Sequence, residues 1–192
     1  MASMTDALTV LHHQHREVEE LFAEAEGLQV AQVDDSRTGL VAERNALKNT
    51  IVTKLSQHAA IEELHFYPAL RTALPDGDPL ADHARHDHQV VKELLHQLDD
   101  ISPDSVDYDA LLRKLISEVR AHVRYEEEEI FPEIMEALSP RDREDIGVKL
   151  VEAMRSAPTH PHPATPVNAF TAKVGGLTDR VRDVMEHRST AD

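Results

Sequence analysis

His58-Ala59-Ala60-Ile61-Glu62-Glu63-Leu64-His65-Phe66-Tyr67-Pro68 returns 64 residues later as His122-Val123-Arg124-Tyr125-Glu126-Glu127-Glu128-Glu129-Ile130-Phe131-Pro132. His, Glu, Glu, an aromatic residue and Pro coincide at one constant offset, which points to duplication of a helical pair rather than to chance. In each copy the His precedes the first Glu by four positions. On a helix that spacing stacks the two side chains on one face, ~6 Å apart along the axis. Two separate helices therefore carry the same imidazole–carboxylate pair.

Working outward from the repeat, residues 1–138 read as an all-α, up-down-up-down four-helix bundle. The segments run from about Thr5 to Glu26, Arg37 to Ala73, Pro79 to Asp99 and Val106 to Leu138. Thr5 or Asp6 serves as the first N-cap, and the Pro75-Asp76-Gly77 turn and Ser102-Pro103 break the chain between segments. Short connections favour antiparallel neighbours. Ser139-Pro140, a cap followed by a first-turn proline, starts an additional helix over residues 139–157. Residues 158–192 form a Pro- and His-containing extended strap and a weak terminal helix interrupted by Gly175-Gly176.

The inward stripe of a bundle helix advances in steps of three and four. It reads Leu8, Leu11, His15, Val18, Phe22 in the first segment and Ile51, Leu55, His58, Glu62, His65, Ala69 in the second. The third carries Ala81, Ala84, His88, Val91, Leu95 and the fourth Leu115, Val119, His122, Glu126, Glu129. Four imidazoles and two carboxylates thus point toward one axis. Burying unpaired carboxylates costs several kcal/mol each, so such an interior calls for cations. A set of four nitrogens and two carboxylates without thiolate suits iron or manganese and tolerates zinc. Six donors on four helices suit two ions better than one tetrahedral zinc. Iron is the expected metal.

Composition narrows the alternatives. The 192 residues hold no Cys, which excludes disulfides, thiolate zinc, iron–sulfur clusters and cysteine nucleophiles. A formal charge of −16 with no basic patch disfavours nucleic acid. No run of ~18 apolar residues and no secretory pattern appear, so a cytoplasmic protein without membrane insertion is expected. Histidine stands out, 13 residues in a chain without Trp.

One His on the first helix, His-x3-Glu on the second, His on the third and His-x3-Glu on the fourth resemble the hemerythrin-like HHE cation-binding family. The pairs Tyr67-Pro68 and Phe131-Pro132, at the same distance after each His, are similar too. The resemblance covers roughly residues 5–138 and implies a helical bundle around two iron ions, oxo- or hydroxo-bridged. By position it implies that Glu62 and Glu126 bridge, that His15 and His58 bind one iron, and that His88 and His122 bind the other. Ferritin-type proteins use Glu-x-x-His, the opposite order at a different step.

The sequence also departs from the oxygen-carrying hemerythrins. Ala84 stands where those have a second third-helix histidine, and Glu126 stands four residues after His122 where they have Asp at five. The site is poorer in nitrogen than an oxygen carrier's. His65, on the second stripe at the level of Ala84, either fills the gap as a ligand, hydrogen-bonds a ligand, or caps the surface. Tyr125 reads as a packed aromatic, and His12, His13, His83 and His86 as surface residues. His160 and His162, in the strap, read as non-ligands. The expected function is a di-iron protein that binds or senses dioxygen, peroxide, nitric oxide or iron in oxidative or nitrosative stress. The alternatives are a catalase-like di-iron enzyme and a metal-free interaction bundle.

Overall fold

The computed structural model describes residues 5–30 and 37–161. The strap beyond Pro161, with His162, and the weak terminal helix lie outside the described residues. Asp6 opens α1 (Ala7–Val30): its carboxylate accepts the Leu8 amide at 3.0 Å. The helix runs one turn past Glu26.

The second helix, α2, is not uniform. Its α-helical part Arg37–Ile61 passes into a π turn, Glu62–Phe66, and resumes as Tyr67–Ala73. α3 covers Gly77–Asp100. α4 repeats the pattern of α2: Tyr108–Tyr125, a π turn Glu126–Ile130, then Phe131–Ala137. The Tyr67 and Phe131 amides close the wide turns by donating to the Glu62 and Glu126 carbonyls. Pro68 and Pro132 follow directly. A proline lacks the N–H that an α-helical ladder needs there, and its ring crowds the carbonyl four residues back, so the ladder slips by one residue.

That slip corrects the straight-helix stripe. After Glu62 the buried apolar positions of the next two turns are Phe66, Tyr67 and Leu70; after Glu126 they are Ile130, Phe131 and Ile134. Glu129 is exposed. His65, read from the sequence as inward-facing, is only partly buried and has Lys149 as its electrostatic neighbour.

The four helices pack as a closed ring of neighbours, α1 on α2, α2 on α3, α3 on α4 and, more sparsely, α4 on α1. Lys48 ties α2 to the end of α3, its ammonium donating to the Asp99 and Ile101 carbonyls at 3.1 Å each. The added helix α5 (Pro140–Met154) is capped by Ser139, whose hydroxyl accepts the Asp142 amide at 3.2 Å. It lies across α1 and the first π turn, with Leu150 fully buried. The apolar interior divides in two. One cluster, around Leu11, Phe66, Tyr67, Phe131 and Leu150, fills the end nearest α5. The other, around Phe22, Ile51, Leu95 and Leu115, fills the far end. The polar stripe residues form the layer between. Among the described residues no helix is long and apolar enough to cross a membrane.

Candidate metal centre

His15, His58, Glu62 and Glu126 each bring one donor atom into a group no wider than 4.8 Å, and Glu62, His88 and His122 form a second such group. Glu62 belongs to both. The bundle seals these groups: Glu62 and Glu126 are 0% exposed and the four imidazoles between 2% and 5%. All four Nε2 atoms face inward. His58 Nε2 lies 3.1 Å and His88 Nε2 3.3 Å from Glu62 Oε2; His15 Nε2 lies 3.4 Å and His122 Nε2 3.6 Å from Glu126 Oε2. His88 and His122 approach each other at 3.0 Å through the same atoms.

A ring of acceptors fixes this orientation from outside. His15 Nδ1 is 2.9 Å from Glu127, His88 Nδ1 is 3.1 Å from Glu63, and His58 Nδ1 is 2.8 Å from the Gln14 amide oxygen. Asp87 lies 3.6 Å from His122 Nδ1. A carboxylate or amide oxygen accepts only, so Nδ1 of His15, His58 and His88 donates and their Nε2 faces inward, whereas His122 Nδ1 is too far from Asp87 for a hydrogen bond and has only its charge as company. Glu63 and Glu127 are the second glutamates of the two repeat copies. Each reaches a histidine on a neighbouring helix that has no copy of the motif, Glu63 to α3 and Glu127 to α1. Lys92 donates to Glu63 at 2.6 Å and Arg16 to Glu127 at 3.0 Å, which keeps both charged.

The aromatic repeat position differs between halves. The Tyr67 hydroxyl donates to Glu126 Oε1 at 2.9 Å and lies 3.1 Å from His88 Nε2. Phe131, its counterpart, stacks on His15 at 6.0 Å between centroids. One half of the site thus carries a phenol and the other a bare ring.

Electrostatics register the crowding. Burial and the like charge of Glu126 push the Glu62 carboxyl well above its ordinary range. Burial opposes ionisation of Glu126 too, but His122 and His15 hold it below the usual carboxylate range. Glu63, despite burial, is held down to about 2 by His88 and Lys92. Burial and the neighbouring imidazoles drive His58 well down and His88 down. Burial also opposes the charge on His122, yet Glu126 and Asp87 raise it. Groups driven toward opposite protonation states, Glu62 and His122 holding protons and His58, His88 and Glu126 losing them, share one buried layer.

The sequence from residue 6 to 134 matches the hemerythrin HHE cation-binding domain. The chain belongs to that family. An uncharacterised hemerythrin-like protein of Schizosaccharomyces pombe is 28% identical over 144 residues, covering 72% of this chain and 71% of that one. A DNA nickase of a Nostoc species is 33% identical over 94 residues, 49% of this chain and 26% of its own length. The crystal structure of a hemerythrin HHE cation-binding domain-containing protein from Mycobacterium kansasii superposes with a TM-score of 0.62 at 24% identity, covering 78% and 85% of the two chains. That likeness speaks for the fold.

In this hemerythrin-like chain, then, His15, His58, Glu62, His88, His122 and Glu126 come together in one layer, and His65 takes part in neither group. At the level where His65 was placed, Tyr67 enters instead, and buried Ala84 belongs to the same apolar cluster as Tyr67. Tyr67 is a marker of the repeat in the sequence, and Pro68 beside it is the signal for the slip that turns its ring inward. His12 is exposed but pairs with Glu127 at 3.0 Å, and His83 stacks on Tyr125. His160 pairs with Asp99 at 3.1 Å, away from the layer.

Proposed function

We propose that this hemerythrin-like protein holds two iron ions in the layer between its apolar clusters and uses them to bind or sense dioxygen, nitric oxide or peroxide. The observation that supports this reading is a set of unsatisfied atoms. His15 Nε2, His58 Nε2, both Glu62 oxygens and Glu126 Oε2 are buried without a hydrogen-bond partner. Leaving one such atom dry costs about 1–3 kcal/mol, more for a charged group. Five converging on one layer are accounted for by cations. Neutral imidazoles with carboxylates suit iron, and also manganese or zinc.

In this reading His15 and His58 would hold one ion and His88 and His122 the other, with Glu62, which belongs to both donor groups, and Glu126 as the carboxylates that would balance their charge. Tyr67 stands at the His88 side, where its phenol either steadies Glu126 or joins the donor set. Bound iron supplies redox and Lewis-acid chemistry toward a small diatomic or peroxide ligand. The chain's own residues exclude water, orient the imidazoles and set the charge. A role in oxidative or nitrosative stress fits that ligand class, and a cytoplasmic location goes with it. The nickase likeness is not carried over, since a net charge of −16 opposes phosphate backbones.

Metal analysis of the purified protein tests the proposal. The expected result is close to two irons per chain, with charge-transfer bands in the near ultraviolet and antiferromagnetic coupling. His122→Ala is expected to lower iron content by about half or more, since a missing imidazole opens one ion's site. An unchanged metal-to-protein ratio in that variant would falsify the assignment.

A further inference from the structure

We infer that small neutral molecules reach this layer through the cleft between α1 and α4, and that Val18, Val119 and Val123 form its apolar filter. The inference rests on the metal reading only for what waits at the end of the route. The route itself is a matter of packing.

Two cavities share a wall. The outer one, of about 280 Å³, opens to solvent between α1 and α4, with His15 and Phe22 among the residues at its floor. The inner one, of about 20 Å³, lies against all four site imidazoles and is otherwise bounded by aliphatic side chains, including Leu55 and Val91. His15, Val18, Val119 and Val123 line both. Val18 and Val119 are themselves buried, at 5% and 4% exposure, so the wall between the two cavities is made of packed aliphatic side chains.

The gap has a structural cause. α1 and α4 touch sparingly, and long charged pairs span the seam in place of packed side chains. Arg120 grips Glu19 and Glu26 toward one end, with nitrogen–oxygen distances of 2.6 Å and 2.9 Å for the closest pair on each. Glu127 grips His12, His15 and Arg16 toward the other. Such pairs clasp two helices at a distance without filling the space between them. The other seams close differently: Lys92 and Glu63 pair across α2 and α3, and Tyr67 and Phe131 cap the layer on the α5 side.

The filter sets the class of molecule that passes. An ion crossing this wall would shed its hydration against valine methyl groups, with the His15 ring as the one polar side chain shared by both cavities. A neutral molecule of two or three heavy atoms pays little, and the inner cavity has room for about one such molecule. Nitric oxide is the probe we choose. Because valine methyls form the partition, its thickness is tunable without touching any donor residue.

The experiment is stopped-flow association of nitric oxide with the iron-loaded protein, wild type against Val119→Phe and Val119→Ala, with iron content measured alongside. Val119→Phe should slow association at least about tenfold with iron content unchanged, and Val119→Ala should speed it about threefold. Equal rates in all three proteins at full iron content would overturn the route. If Val119→Phe does not fold, the alanine variant decides alone, an unchanged rate overturning it. If the wild type holds no iron, the metal reading falls separately. Xenon-pressurised crystals of the metal-free protein then decide: xenon between Val18 and Val119 supports the route, and its absence there overturns it.

Discussion

Glu127 shows how much of a metal site is set by atoms that touch no metal. Its carboxylate holds His15 by Nδ1 and is itself held by Arg16, so the imidazole is fixed in both tautomer and rotation. Glu127→Gln keeps an acceptor of similar shape but removes the charge that makes His15 a stronger donor. Partners of this kind commonly set metal affinity by roughly 10–100-fold. A loss of that order is therefore expected in chelator competition; undiminished affinity would remove Glu127 from this role. Tyr67 makes a different case. Tyr67→Phe leaves Glu126 Oε1 buried without its donor. The metal-free fold should lose about 1–3 kcal/mol in urea unfolding, the usual cost of an orphaned buried acceptor. The six converging donors were legible in the sequence because helical periodicity alone puts them on one stripe. Glu63, Glu127, Gln14 and Asp87 were not. Each sits one position off the stripe and acts across to another helix, and that depends on how the helices are rotated, which no single segment encodes.

Helix geometry accounts for the largest departure from the sequence reading. Segment number, order and caps followed from local chemistry: Asp6 caps α1, Ser139 caps α5, and Pro75 separates α2 from α3. The π turns did not, because a 3.6-residue count run through Glu62 assumes an unbroken ladder. Pro68 and Pro132, inside otherwise continuous helical patterns, were the available warning. Their consequence is the exchange of His65 for Tyr67 at the inner layer. Glycine provides a sharper check of how the elements fit. A Cβ on Gly147 would fall 1.9 Å from the Thr5 carbonyl oxygen and 2.8 Å from the Ala7 amide nitrogen, both backbone atoms that cannot swing aside. Gly147→Ala should lift α5 off α1 and cost about 1–3 kcal/mol, as overpacking does. Gly27, also within a helix, has nothing within 4 Å of such a Cβ. Gly27→Ala should stabilise by up to about 1 kcal/mol through helix propensity. Opposite signs in thermal unfolding confirm the docking; a shared sign contradicts it.

The bundle as a whole stores an electrostatic conflict between two apolar halves, and the conflict dictates how metal loading must depend on pH. In the metal-free protein Glu62 keeps its proton above the ordinary carboxylate range because burial and Glu126 oppose a second negative charge. His122 keeps its proton above the ordinary imidazole range: burial works against this, but Glu126 and Asp87 outweigh it. A metal ion takes only the deprotonated forms of both, so its binding must expel whatever protons they hold. The sign follows directly. At lower pH more protons have to be displaced and apparent affinity is weaker. As pH rises through the raised values, affinity climbs, and it levels once both groups have titrated. His58 and His88, already depressed by burial and by neighbouring imidazoles, contribute to this slope only on the acid side of the ordinary imidazole value. Titrating the metal-free protein with zinc, a redox-silent stand-in, in weakly buffered indicator dye at pH 6 should therefore release protons along with binding. The same titration at pH 8 should release fewer and give a tighter midpoint. Binding that released no protons at pH 6 would mean the cations settle elsewhere, leaving Glu62 and His122 protonated in a layer that never receives them.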